Sequence, residues 1–126
     1  MKRITKLTLA TSLAFGLVQL VGCASTTVTP TGAHTYAALP DSTEVSVFAS
    51  EKDVGQAYET LGIVEYSDAG KYQNVTLEKA LPHLKEKARL LGANGLIIDQ
   101  STQTKSGIWS RGIDTRARAI RILNTR

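Results

Sequence analysis

The sequence predicts an α+β fold, with one main helix packed on one face of a mainly antiparallel sheet in the element order β-β-α-β-β. Two observations predict this class. Strand-like segments lie on both sides of a single helical segment, and no internal repeat is visible in the 126 residues. Strands grouped before and after a helix are typical of α+β domains, in which the helix covers one face of the sheet.

Two strands are predicted before the helix. Residues 44–49 alternate between polar and apolar side chains, which is the pattern of a half-buried strand. Residues 58–66 form the second strand, and Gly62 within it indicates a β-bulge or a close approach of another backbone. Residues 67–70, Ser-Asp-Ala-Gly, have the composition of a turn.

The helix is predicted over residues 76–91, because its apolar residues recur at steps of three and four. These residues are Leu77, Leu81, Leu84, Ala88 and Leu91. Pro82 lies inside this segment, so either the helix kinks there or its main part begins near Pro82. Gly92, Ala93 and Asn94 are expected to form a structural turn, in which Gly92 supplies the positive φ that ends many helices.

Two further strands follow the helix. Residues 95–102 open with an apolar run that indicates burial on both faces and therefore a central position in the sheet. Asp99 within this strand is expected to be a hydrogen-bonded structural residue. Residues 105–114 are predicted to be a loop, and residues 115–123 the last strand.

The first 22 residues have the layout of a secretory signal peptide, with a basic start followed by a short apolar segment. The sequence at 20–23, Leu-Val-Gly-Cys, resembles the lipobox of bacterial lipoproteins, which implies cleavage before Cys23 and acylation of that cysteine. Residues 7–21 are shorter than the roughly 20 apolar residues that a transmembrane helix needs. Two alternatives remain: ordinary cleavage after Ala24, which would give a soluble secreted protein, and a cytosolic protein with an apolar N-terminus.

The chain after the signal peptide divides into two parts. Residues 23–39 are interpreted as the lipidated cysteine and a Thr-rich tether with an average reach of about 20–25 Å, and residues 40–126 as a periplasmic domain. His34 and Tyr36 in the tether are expected to be solvated, with docking on the domain as the alternative. By resemblance to the sorting of proteobacterial lipoproteins, Ala24 after the cysteine favours the outer membrane.

The net charge of +4 gives no support for nucleic-acid binding. Lys2, Arg3 and Lys6 belong to the predicted signal peptide, and the remaining chain has 12 basic and 11 acidic residues. With Cys23 acylated, no other cysteine remains for a disulfide, a metal site or catalysis.

Patterns of catalytic or metal-binding residues are not recognisable. His34 and His83 are the two histidines, and neither has a partner at metal-ligand spacing. No serine stands in a G-x-S-x-G context, and no Gly-rich phosphate loop is present. We therefore expect no enzymatic activity, no metal and no cofactor besides the covalent lipid on Cys23.

A candidate contact surface lies near Trp109, in a loop that also holds Ile108 and is bounded by glycines. Trp and Arg are enriched in interface hot spots, so Trp109, Arg111, Arg116 and Arg118 are predicted to contact another envelope protein. Two alternatives remain open: a tryptophan folded back over the sheet edge, and an arginine-studded edge strand that resists aggregation.

Three short patches carry a family resemblance: YETLGIV at 58–64, KA at 87–88 with LGANGLI at 91–97, and AI at 119–120. They resemble small envelope lipoproteins related to the Rcs-pathway stress sensor, and the YbjQ-type domains that share its fold. The resemblance implies the same architecture over residues 44–123, with a sensory or interaction role. The alternative it implies is a small-ligand-binding domain, which forms oligomers like the YbjQ-type proteins.

Overall fold

The computed structural model describes residues 24–105 and 107–123, and it confirms the predicted α+β class. One helix packs on a five-stranded, mostly antiparallel sheet. The predicted signal peptide and Cys23 lie outside the described residues. The elements are β1 (Ala24–Pro30), β2 (Ser46–Phe48), a 3₁₀ turn (Glu51–Asp53), β3 (Tyr58–Asp68), α1 (Leu77–Leu90), β4 (Gly95–Lys105) and β5 (Arg111–Ile122).

The strand order in the sheet is β1-β3-β5-β4-β2. Neighbouring strands are antiparallel, except that β2 runs parallel to β4. Because β5 lies at the centre, the interpretation of the last strand as an arginine-studded edge is wrong. The predicted central position of the third strand is confirmed at residues 95–97, which pair with both β5 and β2.

The main departure from the sequence-based expectation is β1. Residues 24–30 pair with β3 along their whole length, so they are part of the folded domain, which does not begin at residue 40 as expected. The same threonines and valine that resemble a linker are β-branched, and such side chains suit an edge strand. Their small size and the exposed position of β1 explain why no clear alternation of polar and apolar residues marks the strand.

The rest of the predicted tether is also fixed to the domain. The N–H groups of Thr31 and Gly32 donate to the carbonyl oxygen of Leu61 at 3.0 and 3.2 Å. The N–H of Leu39 donates to the carbonyl oxygen of Arg89 at 2.8 Å. The expectation of a flexible tether over residues 24–39 is therefore wrong, and the alternative, docking on the domain, is what the structure shows.

Helix α1 continues through Pro82, which rules out a main helix that begins there. The end of the helix follows the prediction. Gly92 has a φ of 80°, and its N–H donates to the carbonyl oxygen of Arg89 at 3.0 Å. The N–H of Ala93 donates to the carbonyl oxygen of Ala88 at 2.9 Å, which completes a Schellman motif.

The other boundaries differ in detail. The predicted bulge in the second strand is confirmed by a register shift between Thr60 and Gly62. A Cβ on Gly62 would lie 2.7 Å from the carbonyl oxygen of Thr29, so the glycine also permits close approach of β1. Strand β3 continues to Asp68, β4 continues to Lys105 and β5 begins at Arg111, so both ends of the predicted loop over 105–114 belong to strands.

The core lies mainly between α1 and the sheet. Leu84 of α1 is fully buried among side chains of the helix-covered face, and burial of such a side chain contributes about 1.5–3 kcal/mol. A smaller cluster of Val54, Ile97 and Ile120 lies on the other face, beside the 3₁₀ turn.

The remainder of that second face is uncovered, and we call it the open face. It is defined by the exposed residues Glu65, Ser67, Asp114 and Arg116.

Candidate functional site

We call the end of the sheet at which β1 begins the anchor end. Its residues lie at one level across four strands, and they are Ala24, Asp68, Ile113 and Gln103. The β4–β5 hairpin continues past this level to the pair Lys105 and Arg111, two residues or about 7 Å further. Ala24 follows Cys23 directly in the sequence, so their Cα atoms are about 3.8 Å apart.

Three large apolar side chains stand exposed beyond the anchor end, and we call them the tip cluster. Tyr72 is 91% exposed, Ile108 81% and Trp109 89%. They line a surface groove of about 700 Å³ together with Lys71. Trp109 therefore does not fold back over the edge of the sheet, which was one of the two alternatives for this residue.

Backbone contacts hold the turn that contains Tyr72 against Arg111, the first residue of β5. The N–H of Arg111 donates to the carbonyl oxygen of Gln73 at 3.0 Å, and the N–H of Val75 donates to the carbonyl oxygen of Arg111 at 2.9 Å. A Cβ on Gly70 would lie 2.0 Å from the Arg111 carbonyl oxygen, so only glycine permits this approach. The two segments that carry the tip cluster are thus one connected unit.

Asp68 organises the start of the same turn. One of its carboxylate oxygens accepts a hydrogen bond from the N–H of Gly70 at 2.8 Å, and the other accepts from the Tyr66 hydroxyl at 3.1 Å. Burial and this carboxylate together raise the pKa of Tyr66 above its usual range. The neutral hydroxyl therefore remains a donor to Asp68 at neutral pH.

The backbone of Tyr72 has a φ of 62°, in the left-handed region. Among the described residues, Tyr72 is the one non-glycine residue with a positive φ. A bulky residue in this region is strained, and such strain is often found at functional positions. The chain thus accepts an unfavourable backbone conformation at a position where a large aromatic side chain points into solvent.

The structure separates the four residues that the sequence grouped as one contact surface. Trp109 lies in the tip cluster, and Arg111 forms with Lys105 the last strand pair before the hairpin loop. Arg116 and Arg118 lie further along β5, on the opposite side of the strand from Arg111, since successive side chains alternate between faces. A single contact through all four residues is therefore not what the fold presents.

Arg118 is occupied by two carboxylates. Its guanidinium donates to both oxygens of Asp99 at 2.9 to 3.1 Å, and it also pairs with Glu51. Asp99 and Glu51 raise the pKa of Arg118, and the Arg118 guanidinium lowers the pKa of Glu51. Asp99 is thus hydrogen-bonded, as expected, and Arg118 connects β5, β4 and the 3₁₀ turn.

Arg116 is much less constrained. Its Nε lies 3.9 Å from an oxygen of Glu65, and both side chains are about half exposed. An exposed pair at this distance contributes little to stability. Arg116 borders a shallow groove of about 330 Å³ on the open face, whose other polar lining residues are Glu65, Ser67, Gln100, Asp114 and Thr115.

The opposite end of the sheet, which we call the far end, contains the predicted structural turn at Gly92, Ala93 and Asn94. Ala93 is fully buried, and the side-chain oxygen of Asn94 accepts from the N–H of Ile122 at 2.8 Å. The side chain of Arg121 donates to the carbonyl oxygen of Gly92 at 2.9 Å. These three residues therefore join the helix end to β4 and β5, which is the structural role expected of them.

A polar cluster covers the far end. Glu59 accepts a hydrogen bond from the Tyr36 hydroxyl at 2.6 Å, and its other oxygen lies 2.6 Å from His34 Nδ1. The hydrogen bond from Tyr36 and the contact with His34 lower the pKa of Glu59, while Glu59 raises the pKa of Tyr36. The guanidinium of Arg121 lies over the Tyr36 ring, 5.0 Å from its centroid.

Sequence reasoning identified Trp109 but missed Tyr72 and the far-end cluster. Tyr72 is an isolated aromatic residue between a lysine and a glutamine, and no local pattern marks it. Its proximity to Trp109 depends on the pairing of β3 with β5. Tyr72 and Trp109 share one sequence signal, because each stands two positions after a glycine.

Groups of side chains that would hold a metal ion are absent from residues 24–105 and 107–123. Within the same residues, no helix is both long and apolar enough to cross a bilayer. The placement of Cys23 falls outside the described part of the chain, so the predicted lipidation stays a prediction.

Comparison with known proteins shows similarity of fold. No protein-family model and no curated protein sequence matches the chain. The crystal structure of FvfA, a Francisella virulence factor, matches with a TM-score of 0.55 and 15% identity. The match covers 76% of this chain and 96% of that one. The α+β architecture of this chain is therefore similar to that of FvfA, and the resemblance to the Rcs-pathway sensor and YbjQ-type proteins receives no support from a family match.

Proposed function

We propose that this chain is a lipid-anchored protein of the cell envelope, attached through Cys23 and facing the periplasm from the outer membrane. It acts as an interaction or sensory module rather than as an enzyme. The sequence of residues 1–23 supports the anchor, and the position of Ala24 adds a structural consequence. Because β1 begins at Ala24, an acylated Cys23 would hold the sheet directly at the membrane.

The open face is the surface that we assign to a protein partner. One observation carries this assignment: Arg116 is half exposed and only loosely paired, whereas the neighbouring Arg118 is occupied by Asp99 and Glu51. Arginine is enriched at protein interfaces, where its guanidinium pairs with carboxylates and carbonyl groups. Arg116 has acidic neighbours in Glu65 and Asp114, so a partner with both charge signs would be complementary.

Crosslinking in the native envelope tests this proposal. A photoreactive amino acid replaces Arg116 in one full-length variant and Glu86, exposed on the helix, in a matched variant. We expect one envelope protein to crosslink from position 116 and not from position 86, and to be lost from the Cys23→Ser variant. Binding of the identified protein should then be abolished by Arg116→Glu, because reversal of the charge repels the partner's acidic groups, whereas the uncharged photoreactive residue only weakens the contact.

Equal crosslinking from positions 116 and 86 would refute a specific open-face contact. So would unchanged binding of the identified protein to Arg116→Glu. If the partner still crosslinks from Cys23→Ser at the wild-type level, the partner contact stands and the dependence on anchoring is wrong.

A small-ligand-binding function is the second candidate. The groove of the tip cluster, at about 700 Å³, is within the size range of ligand pockets. It ranks second because it lies open at the surface, whereas ligand pockets bury most of the ligand. Thermal unfolding of the full chain with a panel of envelope metabolites and metal ions tests it, and an unchanged midpoint for every compound would reject it.

A further inference from the structure

We propose that the tip cluster is a membrane-docking surface, which seats Tyr72, Ile108 and Trp109 in the interfacial region of the bilayer that holds the lipid of Cys23. This inference rests on the proposed lipid anchor and adds a second, non-covalent attachment to the same membrane. The occupant of the groove is then the lipid headgroup and upper acyl region.

The position of Ala24 supports this occupant. Ala24 lies at the anchor end, so an acyl chain on Cys23 would enter the membrane close to the level of that end. The β4–β5 hairpin extends about 7 Å past this level before its connecting loop begins. Interfacial segments are buried by about 5–10 Å. The hairpin tip therefore projects from the domain far enough to enter the interfacial region.

The composition of the tip cluster also fits a membrane interface. Trp and Tyr are enriched at the headgroup level of membranes, because each combines an apolar ring with a polar group. Ile108 adds an aliphatic side chain that is 81% exposed. An exposed group of large apolar residues marks a surface that contacts another molecule or a membrane.

The charged residues within the two segments that carry the tip cluster are all basic, whereas the neighbouring carboxylate of Asp68 accepts hydrogen bonds from the Tyr66 hydroxyl and the N–H of Gly70. Lys71, Lys105 and Arg111 flank the three apolar side chains, and residues 69–75 and 105–111 contain no aspartate or glutamate. Basic residues beside an apolar patch are attracted to anionic lipid headgroups. The open face, by contrast, presents charges of both signs, from Glu65, Asp114 and Arg116.

The scaffold fixes the relative position of the three side chains. Gly70 lets the Tyr72 turn contact the hairpin, and the hydrogen bonds of Arg111 to Gln73 and Val75 join the two segments. The left-handed backbone of Tyr72 turns its side chain outward despite the cost in strain. Because this surface is already formed, contact with the membrane requires little further ordering of side chains and loops.

Trp109 is the sole tryptophan of the chain, so its fluorescence reports on the tip cluster alone. The full chain is expressed with its signal segment in a bacterium, purified from the membrane and reconstituted into vesicles of phosphatidylethanolamine and phosphatidylglycerol. One vesicle preparation has bromine on the acyl chains, which quenches nearby tryptophan. We expect a shift of Trp109 emission to shorter wavelength and strong quenching by the brominated lipid.

Two variants separate docking from folding. Tyr72→Asn removes the ring while keeping a residue that tolerates the left-handed region, and we expect the ratio of docked to undocked protein to fall roughly tenfold. Leu90→Asn is the matched control, because Leu90 is 57% exposed at the far end. Its quenching should equal that of the unmodified chain, and circular dichroism should show the same fold in both variants.

The remaining outcomes assign a failure to one proposal or the other. If the protein floats with the vesicles but Trp109 stays unquenched and exposed to water, the docking proposal is wrong and the lipid anchor stands. Shielding of Trp109 only after envelope proteins are added, without bromine quenching, would identify the cluster as a protein contact and also overturn docking. If mass spectrometry finds no lipid on Cys23, the anchor is wrong, and docking stands only if added vesicles still quench Trp109.

Discussion

The two ends of the sheet differ in whether their apolar side chains are covered or exposed. At the far end, residues 31–39 pass over the end of α1, and the half-buried Tyr36 contacts Gly92 and joins the core. At the anchor end, Tyr72 and Trp109 remain about nine-tenths exposed. The same chain thus covers one end with its own residues and leaves its largest exposed aromatic groups at the other.

This difference indicates that the aromatic side chains at the anchor end are not exposed merely because the protein lacks residues that could cover them. The segment that covers the far end starts from β1, whose first residue lies at the anchor end. If Cys23 is the anchor, β1 runs away from the membrane and brings the residues that follow it to the distal end. The anchor end would then be free for contact with lipid, which is the use that we propose for it.

The largest effect on the covered end is expected from Gly92→Ala. A Cβ at this position would lie 2.5 Å from the Cβ of Tyr36 and 2.8 Å from the carbonyl oxygen of Ala37, on a backbone with a φ of 80°. We expect the free energy of unfolding to fall by about 3 kcal/mol, from strain and overpacking together. Urea unfolding of the full chain measures it.

Gly55→Ala is the matched control for this substitution. Its φ is 65°, but a Cβ there would have no heavy atom within 4 Å. Only the cost of the left-handed backbone applies, so a loss of about 1 kcal/mol is expected. Equal losses for the two variants would show that Tyr36 does not pack tightly over Gly92, and the contrast between the two ends would weaken.

A smaller effect, dependent on pH, is expected from Tyr36→Phe. The hydrogen bond from Tyr36 lowers the pKa of Glu59 in the folded state, so the ionised carboxylate stabilises the fold above the ordinary value of 4.5. That contribution is lost as the pH falls through the lowered pKa of the folded state. The variant should be less stable than the unmodified chain at pH 7, and this difference should shrink at pH values below 4.5.

Tyr72→Phe controls for the loss of a tyrosine hydroxyl as such. The Tyr72 ring is 91% exposed, so its hydroxyl group is expected to have little effect on stability at either pH. Suppose that the difference in free energy of unfolding between Tyr36→Phe and the unmodified chain is the same at pH 3 and pH 7. The hydrogen bond from Tyr36 then does not make the ionisation of Glu59 contribute to stability. The covering segment would then be held by its apolar and backbone contacts alone.

Local patterns predicted the elements that have local causes. The apolar stripe from Leu77 to Leu91 predicted α1, and the glycine after it predicted the end of the helix. Both features depend on residues within one or two turns of each other. The bulge at Gly62 was predicted for the same reason. The length of the last strand was underestimated, since residues 111–114 include Gly112 and Asp114, which are poor strand formers in isolation.

Long-range pairing explains what the sequence did not reveal. Strand β1 consists of small and β-branched residues that suit a linker as well as an edge strand, and only its pairing with β3 distinguishes the two. The tip cluster combines Tyr72 with two residues that follow it by 36 and 37 positions, and the pairing of β3 with β5 brings them together. The separation of Trp109 from Arg116 and Arg118 likewise depends on the position of β5 in the sheet.

The smallest effect, and one of opposite sign, is expected from Tyr72→Asn. Tyr72 loses few apolar contacts when replaced, because its side chain is 91% exposed, while asparagine tolerates a φ of 62° better than tyrosine does. We expect the free energy of unfolding to rise by about 0.5 kcal/mol, measured by urea unfolding in detergent, whereas Tyr72→Phe should leave it unchanged. If removal of the aromatic ring raises the free energy of unfolding, tyrosine occupies this position at the expense of stability. That is expected for a residue whose role is contact with a membrane. A destabilised Tyr72→Asn chain would instead show that the ring packs within the domain, and the anchor end would then be partly covered like the far end.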